Sequence, residues 1–265
     1  MFRPIAILDS GLGGLTILKS LYKILPLETY VYLADQKNCP YGERKKEEIE
    51  SLSQKACQYL LKFKPKIIVI ACNTITTESI SDLREKFKGV SFVGVVPPVK
   101  LAVKKTKTGH FIILSTKATQ KGDYLKSLIK DYASSFRVYS LSGSGLVKLI
   151  ESGQIKDKEI EKLLEKRLSK ALKDEKIDTL ATGCTHYPLV KKQILAFFNK
   201  RGKQISFIEP GTAVANQVKR ILAQKKLLVS KKQGKNILYT TLKRNNLRSL
   251  ISNFGFKMMI KEVKY

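Results

Sequence analysis

The chain has 265 residues, 43% apolar and 27% charged, with 50 Lys and Arg against 22 Asp and Glu for a formal charge of +28. Those totals fit a soluble globular protein of one large or two modest domains, and no apolar run reaches the roughly 18 residues of a membrane span. The start MFRPIAILDSG lacks the charged head, apolar middle and small-residue cleavage site of a secretory leader, so a cytoplasmic location is expected.

The predicted elements alternate. IAILDS (5–10) reads as a buried strand, and DSGLGG turns into the amphipathic stretch LTILKSLYKIL. The glycines of that turn permit a tight bend and leave helix-start N–H groups to hold an anion, with Asp9 or Ser10 as a cap. Their spacing matches neither GxGxxG nor GxxxxGK[ST], which argues against a dinucleotide or ATP. TYVYLAD (29–35) is a second strand, CPYGER (39–44) a turn fixed by Pro40 and Gly42, and RKKEEIESLSQKACQYLLKF a long helix. KIIVIACN (66–73), HFIILST (110–116), TLATGCT (179–185) and QISFIEP (204–210) are further strands. TESISDLREKF, DYLKSLIKDYA, KEIEKLLEKRLSKALKDEK and AVANQVKRILAQKKL carry helical spacing, and Glu151 in LVKLIESG ends an amphipathic stretch. Strand then helix, repeated, predicts an α/β fold of mostly parallel sheets covered by helices.

IAILDS resembles FIILST, and IIVIACNT resembles TLATGCTH 60 to 70 residues further on in each case, about the length of two βα units. The expected architecture is therefore two similar α/β domains with the active site in the cleft between them. The double proline of GVVPPVK marks a boundary, and the last segment is expected to return to the first domain, for 1–97 together with 210–265 as the first domain and 98–209 as the second.

Lysines are dispersed (KKEEIE, KKTKTG, KKLLVSKKQGK), with no basic helix and no zinc-finger or aromatic RNA-binding pattern. This reads as a solvated surface that steers anions, with nucleic acid bound non-specifically if at all; a basic nucleic-acid-binding α/β protein is the rival reading. Cys39, Cys57, Cys72 and Cys184 make no metal-ligand spacing and no disulfide framework, so no metal is expected and the thiols are free.

Chemistry concentrates at two of those thiols. Cys72 ends a strand and is followed by Asn73 and Thr74; Cys184 ends another and is followed by Thr185 and His186. Taken singly, each can be a buried structural cysteine. One in each half suggests a pair, and proton removal from one face of a carbon with delivery to the other needs two acid/base groups. A cysteine hydrolase built on Cys184 and His186 would leave Cys72 unused.

AILDSGLGGLTIL, CPYG, ACNT and GCTHYPL, in that order, resemble the glutamate racemases of the aspartate/glutamate racemase superfamily, over most of residues 5 to 190. The resemblance implies cofactor-independent interconversion of L- and D-glutamate, D-glutamate for bacterial peptidoglycan, a glutamate substrate, a homodimer and no membrane partner. It implies Cys72 as the thiol serving D-glutamate and Cys184 as the thiol serving L-glutamate. Asp9 matches the carboxylate assisting the first, and His186 the histidine assisting the second. Asp9, Ser10, Pro40, Tyr41, Gly42, Asn73, Thr74, Thr119, Glu151, Thr185 and His186 match substrate-binding positions. ITTES at 75–79 stands where the family has an alanine-rich segment, and the late strand ends in EPGTA, which leaves open a related racemase acting on aspartate or a hydantoin.

Overall fold

The computed structural model describes residues 3–153, 156–242 and 247–265. In chain order, β1 (Ile5–Asp9), α1 (Leu15–Ile24), β2 (Tyr30–Ala34), α2 (Lys46–Leu61), β3 (Ile67–Ile70), α3 (Asn73–Lys86) and β4 (Phe92–Gly94) come first. They are followed by α4 (Val99–Lys105), β5 (His110–Ser115), α5 (Lys117–Lys121), α6 (Asp123–Ala133), β6 (Arg137–Ser142), α7 (Leu146–Ser152) and α8 (Asp157–Leu172). β7 (Thr179–Gly183), α9 (Lys191–Asn199), β8 (Ser206–Ile208), α10 (Gly211–Gln224), β9 (Ile237–Thr240), α11 (Leu247–Asn253) and β10 (Met259–Glu262) complete the chain.

The chain separates into two compact units, Met1–Val95 with Gly211–Tyr265, and Val96–Pro210. The first contains a six-stranded sheet in the order β10-β9-β2-β1-β3-β4, the second a four-stranded sheet in the order β6-β5-β7-β8. Every pairing between neighbouring strands is parallel. The parallel α/β class expected from the alternating pattern is what the chain adopts.

Burial on both faces of the sheet explains the unbroken apolar runs. Alternate residues of β1 go to opposite cores: Ile5 and Ile7 pack with α1 and α10, while Ala6 and Leu8 pack with α2 and α3. β3 does the same, with Ile67 and Val69 on one side and Ile68 and Ile70 on the other. Leu15, Ile17, Leu18 and Leu21 form the buried stripe of α1, each such side chain contributing about 1.5–3 kcal/mol when fully buried. A buried ion pair joins Lys66 to Glu28, and both side chains reach the segment after α10, Glu28 by accepting the Val229 amide. Lys66 also donates to the Leu227 carbonyl at 2.8 Å, so neither charge is left without a partner.

The faint repeat of the sequence appears as topology. Within each sheet the four strands of the repeat have the same order, second, first, third, fourth: β2-β1-β3-β4 in one unit and β6-β5-β7-β8 in the other. The connection from the first strand runs to one side and the third strand lies on the other, which makes a topological switch point at the carboxyl ends of β1 and β3, and again of β5 and β7. Parallel α/β sheets bind ligands at such points. Asp9 ends β1 with Ser10 directly after it, and Cys72 follows β3; Ser115 ends β5, and Cys184 follows β7.

Candidate active site

In the first unit, the ACNT motif straddles a strand end and a helix start. β3 stops at Ile70 and α3 begins at Asn73, earlier than the helical pattern of TESISDLREKF suggests, with Cys72 as the residue before the first turn. A helix N-terminus favours negative charge at that place, which favours the thiolate form of a cysteine. Cys72 is 6% exposed, and its sulfur lies 3.5 Å from Ser10 Oγ. Asn73 and Thr74 are buried beside it. Both polar atoms of the Asn73 side chain lack a hydrogen-bond partner within the protein, a costly state for a buried amide and one that a polar ligand relieves.

Asp9 is fully buried, and its Oδ2 accepts the amides of Gly11 and Gly14 at 3.1 Å each. Two of the N–H groups expected to face an anion are thus taken by this carboxylate, which braces the turn. Gly14 is required by close approach: a Cβ there would stand 2.9 Å from the Cβ atoms of Ala71 and Asp9. Tyr41 and Gly42 are buried, and Pro40, joined to Cys39 by a cis peptide, is partly exposed. Tyr41 packs in the same apolar cluster as Cys72. Burial first, then the charge and hydrogen bond of Asp35 and the nearby Cys72, hold the Tyr41 phenol well above its ordinary range, so it stays neutral.

In the second unit, Gly183 lets β7 close on β5, since a Cβ at that position would lie 2.8 Å from the Ser115 Cβ. Cys184, Thr185 and His186 follow, all buried. His186 Nδ1 lies 4.0 Å from Cys184 Sγ, and its Nε2 lies 2.6 Å from Glu151 Oε1 on α7. An ionised carboxylate only accepts hydrogen bonds, so Nε2 carries a proton and donates it to Glu151. In the neutral ring that leaves Nδ1 as the acceptor toward the thiol. Tyr187 anchors the turn behind His186 by donating from its phenol to the Ser115 carbonyl at 3.1 Å. Thr119 is fully buried in α5, where it bonds the capping residue Thr116 through its amide and its hydroxyl.

Asp9, Ser10, Tyr41, Cys72, Asn73 and Thr74 are therefore assembled in one unit, and Glu151, Cys184, Thr185 and His186 in the other. Two features escape sequence reasoning. Glu151 is a partner of His186 across 35 residues of chain, and Asp35 bonds the Tyr41 phenol at 2.6 Å. For Asp35 a signal exists, an acidic residue closing the apolar strand YVYLA.

The class defined by this arrangement is a parallel α/β protein with one buried strand-end thiol in each of two topologically alike units, each thiol beside a group that can tune it. A model of the Asp/Glu/Hydantoin racemase family matches residues 16–218. The chain belongs to that family. It is 36% identical over 248 residues to a protein named glutamate racemase from Clostridium perfringens, covering 93% of this chain and 94% of that one. A crystal structure of a glutamate racemase isoform from Bacillus anthracis superposes with a TM-score of 0.87 at 27% identity, covering 99% of this chain and 97% of its own. That of the glutamate racemase from Francisella tularensis, in complex with D-glutamate, gives 0.83 at 28% identity with the same two coverages.

Proposed function

We propose that the protein interconverts L- and D-glutamate by a two-thiol mechanism without a cofactor, and that the product D-glutamate supplies peptidoglycan synthesis. The observation that carries the reading is the pair of buried thiols, Cys72 and Cys184, each following the third strand of a sheet of the same strand order. Relatives named glutamate racemase, one of them solved with D-glutamate, support glutamate as the substrate.

In the L-to-D direction the Cys184 thiolate takes the Cα proton of L-glutamate, leaving an enediolate on the substrate and a thiol on Cys184. The Cys72 thiol then gives its proton to the opposite face of Cα, forming D-glutamate and a Cys72 thiolate. Both sulfurs return to their starting protonation by exchange with water. His186, held by Glu151, takes the Cys184 thiol proton on Nδ1 and so generates its thiolate; Ser10 and the start of α3 support the thiolate of Cys72, with Asp9 bracing the turn that carries Ser10. Asn73, Thr74, Thr185, Thr119 and the loop of Pro40, Tyr41 and Gly42 bind the substrate and the charge that develops on it. We further infer a cytoplasmic homodimer, domains of 1–97 with 210–265 and 98–209, and only non-specific, salt-sensitive attraction of nucleic acid by the +28 surface.

The test is circular dichroism of both glutamates and both aspartates with the protein and no additive, run beside the variants Cys72→Ala and Cys184→Ala. Glutamate should invert with wild type and with neither variant. In heavy water, Cys184→Ala should exchange only the α-proton of D-glutamate, and Cys72→Ala only that of L-glutamate. Racemisation by either variant at near the wild-type rate overturns the two-thiol scheme.

A further inference from the structure

Asp35 closes β2 and is fully buried, although nothing in the proposed chemistry uses it. A buried carboxylate is costly unless it is fully hydrogen-bonded, and this one is. It accepts from the Tyr41 phenol at 2.6 Å, from Thr241 Oγ1 at 2.9 Å and from Asn38 Nδ2 at 3.0 and 3.1 Å. Tyr41 and Asn38 belong to the loop that leaves β2, whereas Thr241 follows β9, 206 residues further along the chain. The end of β9 grips the same loop twice more: Thr240 Oγ1 donates to Gln36 Oε1 at 2.8 Å, and the Lys37 amide donates to Thr241 Oγ1 at 3.0 Å. Arg44 Nε closes the loop on the Asn38 carbonyl at 2.7 Å.

We propose that Asp35, with Thr240 and Thr241, forms a clamp of positioning residues that holds the loop 36–44, and Tyr41 within it, in the arrangement that receives substrate beside Cys72. The clamp also sets the polarity of Tyr41. A phenol has one proton, and here Asp35 takes it, so toward any other neighbour Tyr41 can only accept. That suits an N–H or S–H donor, such as a substrate ammonium or the Cys72 thiol, and disfavours a second carboxylate.

The kinetic arm of the test rests on the glutamate reading; its second arm does not. When the clamp is released, the competent loop is populated only part of the time, and the apparent affinity for substrate falls by that fraction while the bound complex is unchanged. Asp35→Asn should therefore raise KM for both glutamates about tenfold with kcat within about twofold of wild type, the signature of a lost loop population rather than of lost catalysis. Thr241→Val keeps the shape, disturbs the fold less, and should raise KM about threefold. A merely structural role would lower the active fraction, hence kcat, and leave KM alone. The second arm follows alkylation of each cysteine by iodoacetamide in the substrate-free protein, using mass spectrometry. Both variants should speed alkylation of Cys72 and leave Cys184, in the other unit, at its wild-type rate. If the wild type inverts neither glutamate, the functional reading fails and the alkylation arm alone decides. Wild-type KM together with an unchanged Cys72 rate in Thr241→Val, or a uniform rise at all four cysteines, overturns the clamp.

Discussion

Glu151→Gln isolates the charge of the residue behind His186. The two side chains are 5% exposed or less, and the bond between Nε2 and Oε1 is 2.6 Å long. Glutamine keeps the length and an oxygen acceptor but loses the charge. A hydrogen bond to a charged group contributes about 1.5–3 kcal/mol, and a neutral one about 0.5–1.5. The substitution should therefore raise the barrier that depends on His186 by about 1–1.5 kcal/mol, or five- to twelvefold in rate. L- and D-glutamate have equal free energies in water, so kcat/KM must fall by the same factor in both directions, and that ratio alone cannot say which thiol is affected. Isotope effects can. In the proposed two-thiol scheme, with Cα-deuterated substrate, the effect on kcat/KM for L-glutamate reports proton removal by Cys184, and that for D-glutamate reports removal by Cys72. Glu151→Gln should raise the first and lower the second, because abstraction on the Cys184 side becomes the higher barrier. If kcat/KM falls tenfold through KM while both isotope effects stay at their wild-type values, Glu151 is a substrate contact and its pairing with His186 is incidental to catalysis.

What the sequence showed and what it hid have separable physical causes. β1, β3, β5 and β7 are central strands covered on both faces, so they read as continuous apolar runs. The thiols at the ends of β3 and β7 were legible with them. Two of the edge strands carry no such run: β6 is RVYSLS, partly exposed along its length, and β10 is MIKE, mostly exposed, and neither reads as a strand. β4 and β9, at three and four residues, do not read as strands either. α4 starts directly after Pro97 and Pro98, so the pair that reads as a breaker is also a helix entry. α9 carries Ile194, Phe197 and Phe198 at helical spacing, a signal that was present but short. The partnerships of the site are harder still. Glu151 in isolation is one more acidic residue on an amphipathic helix, and only the packing of α7 against the turn after β7 gives it a histidine. Asp35 was visible as the acid that ends an apolar strand, but its hydroxyl partner comes from 206 residues away.

Two further perturbations separate stability from function. Asp174 accepts from His110 Nδ1 at 2.7 Å, from the Tyr139 phenol at 2.9 Å and from the Lys176 amide at 2.9 Å. Burial pushes its carboxyl up, but these bonds outweigh it and bring it down to about 2. A depressed acid contributes stability that is full above its unfolded value of about 3.9 and is lost as pH falls toward its folded one. The gap in urea midpoint between wild type and Asp174→Asn should close as pH falls from about 5 toward about 2; a gap independent of pH over that window refutes the assignment. Asn73→Ala tests whether the amide beside Cys72 serves the ligand or the fold. An unpaired buried polar group costs about 1–3 kcal/mol, and alanine at the first position of α3 removes it while favouring the helix by a few tenths more. The small void left behind takes back part of that gain. The variant should thus melt at or above the wild-type temperature while its KM for glutamate rises and its kcat falls. A residue that was part of the packing would behave oppositely, lowering Tm by several degrees in step with activity, and that outcome would mean that the Asn73 amide stabilises the fold rather than waiting for substrate.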